Sequence, residues 1–300
     1  MDDILAYWGL SGESVTHVST STQKVSWSVG DKYMLQQNLA FSAEKVAGNI
    51  RLANLLIANQ IPAVTYIQTL DGAWTTPDGV YFLTKKIKGA HIDFYESPHV
   101  LCELGRGLAR LHRVLAKIEP EITCEDYDFL AKWKNYTKPG LVGVSDEMIA
   151  AVESKIFSYE KFPRCPIHRD VHAGNILFDD GKISGWLDFD LNRKDARVFD
   201  LAYLLAGLLV GNIDDPCRVD IWKAMYQNVL SGYHAISPLT PEEIDALPSL
   251  MMAIELLFVT YWNQQGNADG RDKAMRLAEW LATQTELGNH RLPNSIVGEI

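Results

Sequence analysis

The stretch from Pro166 to Asp190 constrains this chain more than any other. Two runs of strand-forming residues, Ile176 to Phe178 and Ile183 to Leu187, flank Asp180-Gly181, a strong two-residue hairpin signal. A hairpin folds its two ends together, so Asn175 and Asp188 become neighbours, and Asp170 on the loop upstream faces the same point. An Asn carbonyl and an Asp carboxylate are oxygen ligands suited to a hard cation that keeps water and phosphate in its other positions. A separate carboxylate can orient a hydroxyl and take its proton. Phosphoryl transfer needs this set, because catalysis there is mostly positioning and charge neutralisation.

The rest of the chain divides around this hairpin. Val15 to Ser19, Val25 to Val29 and Tyr33 to Gln37 read as strands, with Gly30-Asp31 as a tight turn. A helical pattern runs from Ala43 to Asn59 and ends before Pro62. Val64 to Leu70 and Val80 to Ile87 are further strands, split by Pro77-Asp78-Gly79. Beyond Gly89 the pattern is mostly helical. Leu101, Leu104, Leu108, Leu111, Leu115 and Ile118 form one apolar stripe, and His112 beside it reads as a packed core histidine. Ile221 to Tyr233 repeats the pattern, Thr240 to Glu243 forms a capping box, and Leu250 to Trp262 is apolar almost all round. The expected architecture is α+β and bilobal. A small β-rich lobe over residues 1–88 precedes a larger, mainly helical lobe over residues 89–300 that carries the hairpin.

Composition narrows the function classes. A net charge of −10 repels a phosphodiester backbone, so nucleic acid is not an expected partner. Cys102, Cys124, Cys165 and Cys217 form no C-x-x-C pair, which argues against a zinc knuckle and suits a reducing compartment. Met1 to Ile4 shows no basic region leading into an apolar run, and the apolar run from Leu201 to Val210 falls short of the roughly 20 residues of a membrane span. A cytoplasmic protein without a membrane partner is therefore the expectation.

The segment His168-Arg169-Asp170-Val171-His172-Ala173-Gly174-Asn175, followed by a strand ending Leu187-Asp188-Phe189, resembles the signature of the aminoglycoside phosphotransferase and choline kinase superfamily. It also echoes the H-R-D and D-F-G pair of protein kinases. Asp195 and Asp200-Leu201-Ala202 are similar to the superfamily's D-P-x-x-D-L-A stretch, with Ala196 in place of proline. Leu108 to His112 resembles its L-A-x-L-H helix. The resemblance implies a protein-kinase-like fold with ATP or GTP in the cleft, Mg2+ on Asn175 and Asp188, and Asp170 as base. By the same resemblance His168 orients the catalytic loop and Asp200 supports it. The hinge from Thr84 through Lys85 to Ile87 is expected to hold the base of the nucleotide. The acceptor, a small hydroxylated sugar, amino sugar, amino alcohol or aminoglycoside, is expected among Asp190, Tyr203, Glu255 and Trp262.

The small lobe departs from the pattern. Gln36 stands on the third strand where a kinase of this type places a cation, and a glutamine donates hydrogen bonds without charge. N-acetylhexosamine kinases are similar here, with a Y-x-L-Q-Q strand. Lys24 or Arg51 is the expected replacement cation. Gln36 also opens a second reading, a degenerate kinase-like protein that binds a nucleotide or partner without turnover. Two further readings compete for single residues: His168, Asp170 and His172 as hydrolase metal ligands, and Asp188-x-Asp190 as a nucleotide-sugar metal motif. Neither accounts for the hairpin with Asn175.

Overall fold

A computed structural model describes residues 1–284 and 287. The N-terminal part is a five-stranded antiparallel sheet of β1 (Val15–Thr20), β2 (Lys24–Val29), β3 (Tyr33–Asn38), β4 (Tyr66–Ile67) and β5 (Tyr81–Lys85), in the order β1-β2-β3-β5-β4. The register pairs Ser26 with Gln36 and Gln36 with Phe82. Helix α1 (Ala43–Ala58) lies between β3 and β4 in the chain. Ser42 caps it, accepting from the Lys45 N–H, and Gln60 with φ 63° ends the following turn. One sheet face buries Leu5, Trp8, Val29, Leu35 and Leu83, and Phe82 packs with Val46 and Ile50 of α1 on the other. The fourth strand is shorter than the sequence pattern suggests. Only Tyr66 and Ile67 pair, while Thr69 turns back to Ala73.

The helical part contains α2 (Leu101–Ile118), α3 (Asp146–Ile156), α4 (Val198–Leu209), α5 (Pro216–Ile236), α6 (Pro241–Gln264) and α7 (Ala268–Thr283). The leucine stripe of α2 is fully buried, from Leu101 through Leu104, Leu108 and Leu111 to Leu115. The Thr240 capping box is complete at the start of α6. Helix α6 is long and apolar enough to cross a bilayer by length and composition, yet 67% of that stretch is buried against the rest of the lobe. It is the central core helix here. Two short sheets complete the lobe. β6 (Arg164–Ile167) pairs with β9 (Arg193–Ala196), and β7 (Ile176–Asp179) pairs with β8 (Lys182–Trp186). The second pair is the expected hairpin, with Asp180 at φ 50° and Gly181 at φ 70° in its turn.

Helices α2 and α5 approach closely enough to exclude side chains. A Cβ on Gly105 would fall inside the Val229 carbonyl oxygen, and one on Gly232 inside the Cys102 carbonyl oxygen. Both obstacles are backbone, so relief requires the helices to separate. Gly105→Ala and Gly232→Ala are each expected to destabilise the fold by about 1–3 kcal/mol, read as a lower urea midpoint at unchanged slope.

Candidate active site

The hairpin closes as its register requires. The Leu187 N–H donates to the Asn175 carbonyl at 2.9 Å, which sets Asn175 beside the residue preceding Asp188. Asp188 adopts φ 57°, a left-handed conformation that a non-glycine residue holds only where its surroundings enforce it. His168 supplies part of that enforcement. Its Nδ1 accepts from the Asp170 N–H at 3.3 Å, so Nε2 carries the proton and donates to the Leu187 carbonyl at 2.8 Å. Burial holds the imidazole below its ordinary pKa, and it stays neutral. His168 thus pins the loop of Asp170 to the strand end at Asp188. It is fully engaged and buried, and among the described residues no group of three His, Cys, Asp or Glu side chains is arranged to hold a metal. His168, the first of the three residues in the hydrolase reading, is thus not free to bind a metal.

Asp170 is half-buried and oriented from both sides. Tyr203 Oη donates to Oδ1 at 2.8 Å, and Asn175 Nδ2 donates to Oδ2 at 3.0 Å and to the Asp170 carbonyl at 2.9 Å. Burial opposes its ionisation, but the His172 imidazole 3.6 Å from Oδ2 and the Tyr203 hydrogen bond hold the carboxyl below its ordinary value. Asp170 is therefore an ionised acceptor at neutral pH. With both Asn175 N–H groups turned towards Asp170, the Asn175 carbonyl oxygen is left to face the other way, as a cation ligand must.

Across the cleft, Lys24 at the start of β2 reaches Asp188 Oδ2 at 2.8 Å and Asp190 Oδ2 at 3.2 Å. Burial lowers the Lys24 pKa, but the two carboxylates outweigh it and the net shift is upward. Asp190 is pushed up to about 6 by burial, with Lys24 opposing and Asp188 adding to the rise. Burial also works against Asp188, yet Asp190 and Lys24 hold its carboxyl below the ordinary value. Asn49 of α1 donates to Asp190 Oδ1 at 2.6 Å. The ammonium thus marks where this site concentrates negative charge. Asp188, Asp190 and the side-chain Oδ1 of Asn175 line one cavity, an oxygen-rich set that fits a magnesium-sized cation.

A cavity of about 210 Å³ opens beside these groups, walled by Lys24, Gln36, Asn49, Tyr66, Phe82 and Asp188 among others. This is below the roughly 300–1,000 Å³ of a small-molecule pocket. The Lys24 bridge and the Asn49 contact close it from the small-lobe side.

The structure brings Asp170, Asn175, Asp188, Asp190, Lys24 and Gln36 to one cleft, with Tyr203 on Asp170. Two other expectations differ. Arg51 is exposed on α1 and lines a separate groove with Ala47, Asn54 and Trp74. Two helical positions turn a side chain by about 200°, so Asn49, not Arg51, faces the carboxylates. Thr84, Lys85 and Ile87 do not wall the cavity. Thr84 is buried with Oγ1 on the Met34 carbonyl, the Lys85 N–H is taken by the Thr65 carbonyl, and Ile87 packs over Gly185. Phe82, Tyr66 and Val64 line the cavity instead.

On the acceptor side, Tyr203 meets the Phe258 ring at 6.0 Å, and Phe258 stacks on Trp262 at 6.5 Å. Glu255 lies one turn before Phe258 on the same helix, 3% exposed and without a hydrogen-bond partner among the described residues.

The sequence matches the phosphotransferase enzyme family over residues 16–239, most of the chain. This chain belongs to that family. Among curated relatives, it is 27% identical over 184 residues to a homoserine kinase of Polaromonas naphthalenivorans, covering 57% of this chain and 55% of that protein. It is 34% identical over 104 residues to the homoserine kinase of Methylobacillus flagellatus, covering 35% of this chain and 31% of that protein. The chain spans about half the length, or less, of these relatives. Among solved structures, an amicoumacin kinase in complex with AMP-PNP, Ca2+ and Ami superposes with a TM-score of 0.71 at 16% identity, over 94% of this chain and 92% of that one. The GDP complex of aminoglycoside 2'-phosphotransferase-IIIa gives 0.66 at 14%, over 93% and 95%. A choline/ethanolamine kinase family protein from Mesorhizobium loti gives 0.68 at 14%, over 94% and 92%. The family's protein-kinase-like bilobal fold extends over nearly the whole chain.

Glu255 generates a pH prediction. Burial pushes its carboxyl up to about 8 from an ordinary 4.5. Between those values the unfolded chain releases this proton and the folded chain keeps it. Stability therefore falls as pH rises through the window, by up to about 1.4 kcal/mol per pH unit. Glu255→Gln is expected to flatten that fall, measured as urea midpoints at several pH values from 5 to 8.

Proposed function

We propose that this chain transfers the γ-phosphoryl group of ATP or GTP to a hydroxyl group of a small metabolite, with Asp170 as base. The convergence of Asp170, Asn175 and Asp188 at the mouth of one hairpin, with Asp170 ionised and aimed by Tyr203, carries the reading. Asp170 orients the acceptor hydroxyl and receives its proton as the new O–P bond forms and the β–γ bridge bond breaks, releasing nucleoside diphosphate. Asn175 and Asp188, with Asp190 beside them, would hold Mg2+. When bound, that ion neutralises phosphate charge and fixes the chain of phosphates in line.

Lys24 replaces the absent third-strand cation. Gln36 contributes hydrogen bonds only, whereas Lys24 already stands over Asp188 from the neighbouring strand. Nucleotide entry requires its ammonium to leave the carboxylates and turn to the phosphates. The names of the relatives bring homoserine, antibiotics and amino alcohols into range as acceptors, and the Tyr203, Phe258 and Trp262 rings form an apolar wall for one.

The alternative, a nucleotide-binding protein without turnover, draws on one observation: Lys24 occupies the carboxylates a cation would need. Nucleoside diphosphate release from Mg-ATP or Mg-GTP with a pool of sugars, amino alcohols, hydroxy amino acids and aminoglycosides separates the two. Acceptor-dependent release that Asp170→Asn abolishes is the expected outcome. Nucleotide binding with no release on any acceptor would establish the alternative. Lys24→Met is expected to weaken Mg-nucleotide binding by roughly tenfold to a hundredfold, as loss of a charge-assisted contact implies, and calorimetric titration measures it.

A further inference from the structure

Two cations of the helical lobe, Arg169 and Lys132, make no ion pair among the described residues, although Arg169 lies near enough to the buried Asp195 to oppose the rise that burial gives its carboxyl pKa. Arg169, immediately before Asp170, adopts φ 67° and donates its N–H to Asp200 Oδ1 at 2.8 Å. A long side chain in the left-handed region is strained, and the position is one that glycine fills freely. The arginine lies over the helical lobe, its guanidinium carbon 3.5 Å above the Tyr127 ring and 5.7 Å from the Phe199 ring. Its Nε is cut off from solvent with no hydrogen-bond partner. Lys132, on the short helix Phe129–Lys132, lies with its Nζ 3.4 Å above the Tyr136 ring. Burial and then the charge of Arg169 hold the Lys132 ammonium below its ordinary pKa, so the two cations share one neighbourhood.

Among the described residues no carboxylate comes within 4.0 Å of either cation. The chain carries 38 acidic side chains against 28 basic ones, so a counter-ion was easily available to it. Two like charges held together, partly out of water and unneutralised, are unfavourable until an anion joins them. The place is also informative. Phe199, against Arg169, stacks on Tyr203 at 6.1 Å and 24°, and the Tyr203 hydroxyl holds Asp170. Arg169, Phe199, Tyr203 and Asp170 are thus linked side by side, with Lys132 near enough to Arg169 to feel its charge.

We propose that Arg169 and Lys132 form an anion subsite that holds a carboxylate of the acceptor, which makes the acceptor a short hydroxy acid or hydroxy amino acid. This rests on the phosphotransferase reading for its connection to turnover. The planar guanidinium offers paired donors to a carboxylate, and the nearby ammonium adds a second charge. A neutral sugar or a purely cationic amino alcohol would leave both cations unpaired.

The test uses matched compounds that differ in the carboxylate: L-homoserine against 2-amino-1,4-butanediol, and 4-hydroxybutyrate against 1,4-butanediol. Nucleoside diphosphate release is measured with Mg-ATP and with Mg-GTP, and binding of the same compounds is measured separately by calorimetry. The expected result is a preference of about tenfold or more in kcat/KM for the carboxylated member of a pair. That ratio should fall by about the same factor in Arg169→Gln and in Lys132→Gln, with Arg169→Lys intermediate. A ratio near one in the natural protein, or one unmoved by both variants, overturns the subsite. Lys132→Gln carries the test if Arg169→Gln fails to fold. Calorimetry distinguishes the two failures. Carboxylate-selective binding lost in Lys132→Gln, without any turnover, supports the subsite and removes the phosphotransferase reading. Turnover without carboxylate preference does the reverse, and absence of binding by all four compounds overturns the subsite.

Discussion

A single buried carboxylate holds the catalytic loop in its working shape. Asp200 is wholly shielded from solvent on α4, where an unpaired carboxylate would be prohibitive. It is satisfied by the His168 N–H at 2.8 Å and His112 Nε2 at 2.9 Å on one oxygen, and by the Arg169 N–H at 2.8 Å on the other. His112 in turn bonds the Tyr233 hydroxyl at 2.8 Å. The loop is thereby tied to α2, α4 and α5 at once. Because two consecutive backbone N–H groups point at one carboxylate, the chain must bend sharply after Ile167, and Arg169 takes up the bend with its positive φ. Everything downstream follows from that bend: the direction of Asp170, the inward face of Asn175, and the side on which the Arg169 side chain emerges.

The donor side is built on a different principle. Its charge comes from Lys24 on β2, next to the strand that carries Gln36, and reaches Asp188 and Asp190 across the cleft. Moving a cation from β3 to β2 is sterically simple, because Ser26 pairs with Gln36 in register and the two strands share the cavity wall. It changes what the cation can do. A lysine at the strand's beginning, next to the turn at Ser21, also links the two lobes. The contact that closes the cleft therefore depends on this one ammonium, the same group proposed to meet the phosphates.

Much of this was legible in the sequence, and for physical reasons. The hairpin was visible because an Asp-Gly turn between two short apolar strands has few other solutions, and its closure dictates the proximity of Asn175 and Asp188. The stripe of α2 and the capping box of α6 were visible because helical period and cap chemistry are local. The cavity wall was not. Phe82, Tyr66 and Val64 are brought together by sheet pairing between distant strands, which no local pattern encodes. Asn49 was missed for a subtler reason. It stands between Val46 and Ala53 on the buried side of α1, so a polar residue on an apolar stripe was the available signal, and the more conspicuous charge of Arg51 drew attention to the wrong face. The strands β6 and β9 went unread because four residues each, one strand containing Pro166 and the other three charged residues, carry no alternation.

The charge distribution joins the two halves of the site. The protein is acidic overall, yet the charges about the cleft are arranged in opposition: Asp188 and Asp190 under Lys24 on one side, Asp170 followed back along the chain by Arg169 on the other. Lys45 and Arg193 add to the positive field near Asp190, each close enough to influence the other's neighbourhood. In water such charges would be screened within about 8–10 Å, but the cleft is partly buried and the fields persist. An anionic surface around cationic foci excludes anions in general and admits those that reach the foci. Any acceptor that carries its own negative charge needs a cation of its own, separate from Lys24, which stands on Asp188 and Asp190 and in the proposed reaction turns to the phosphates.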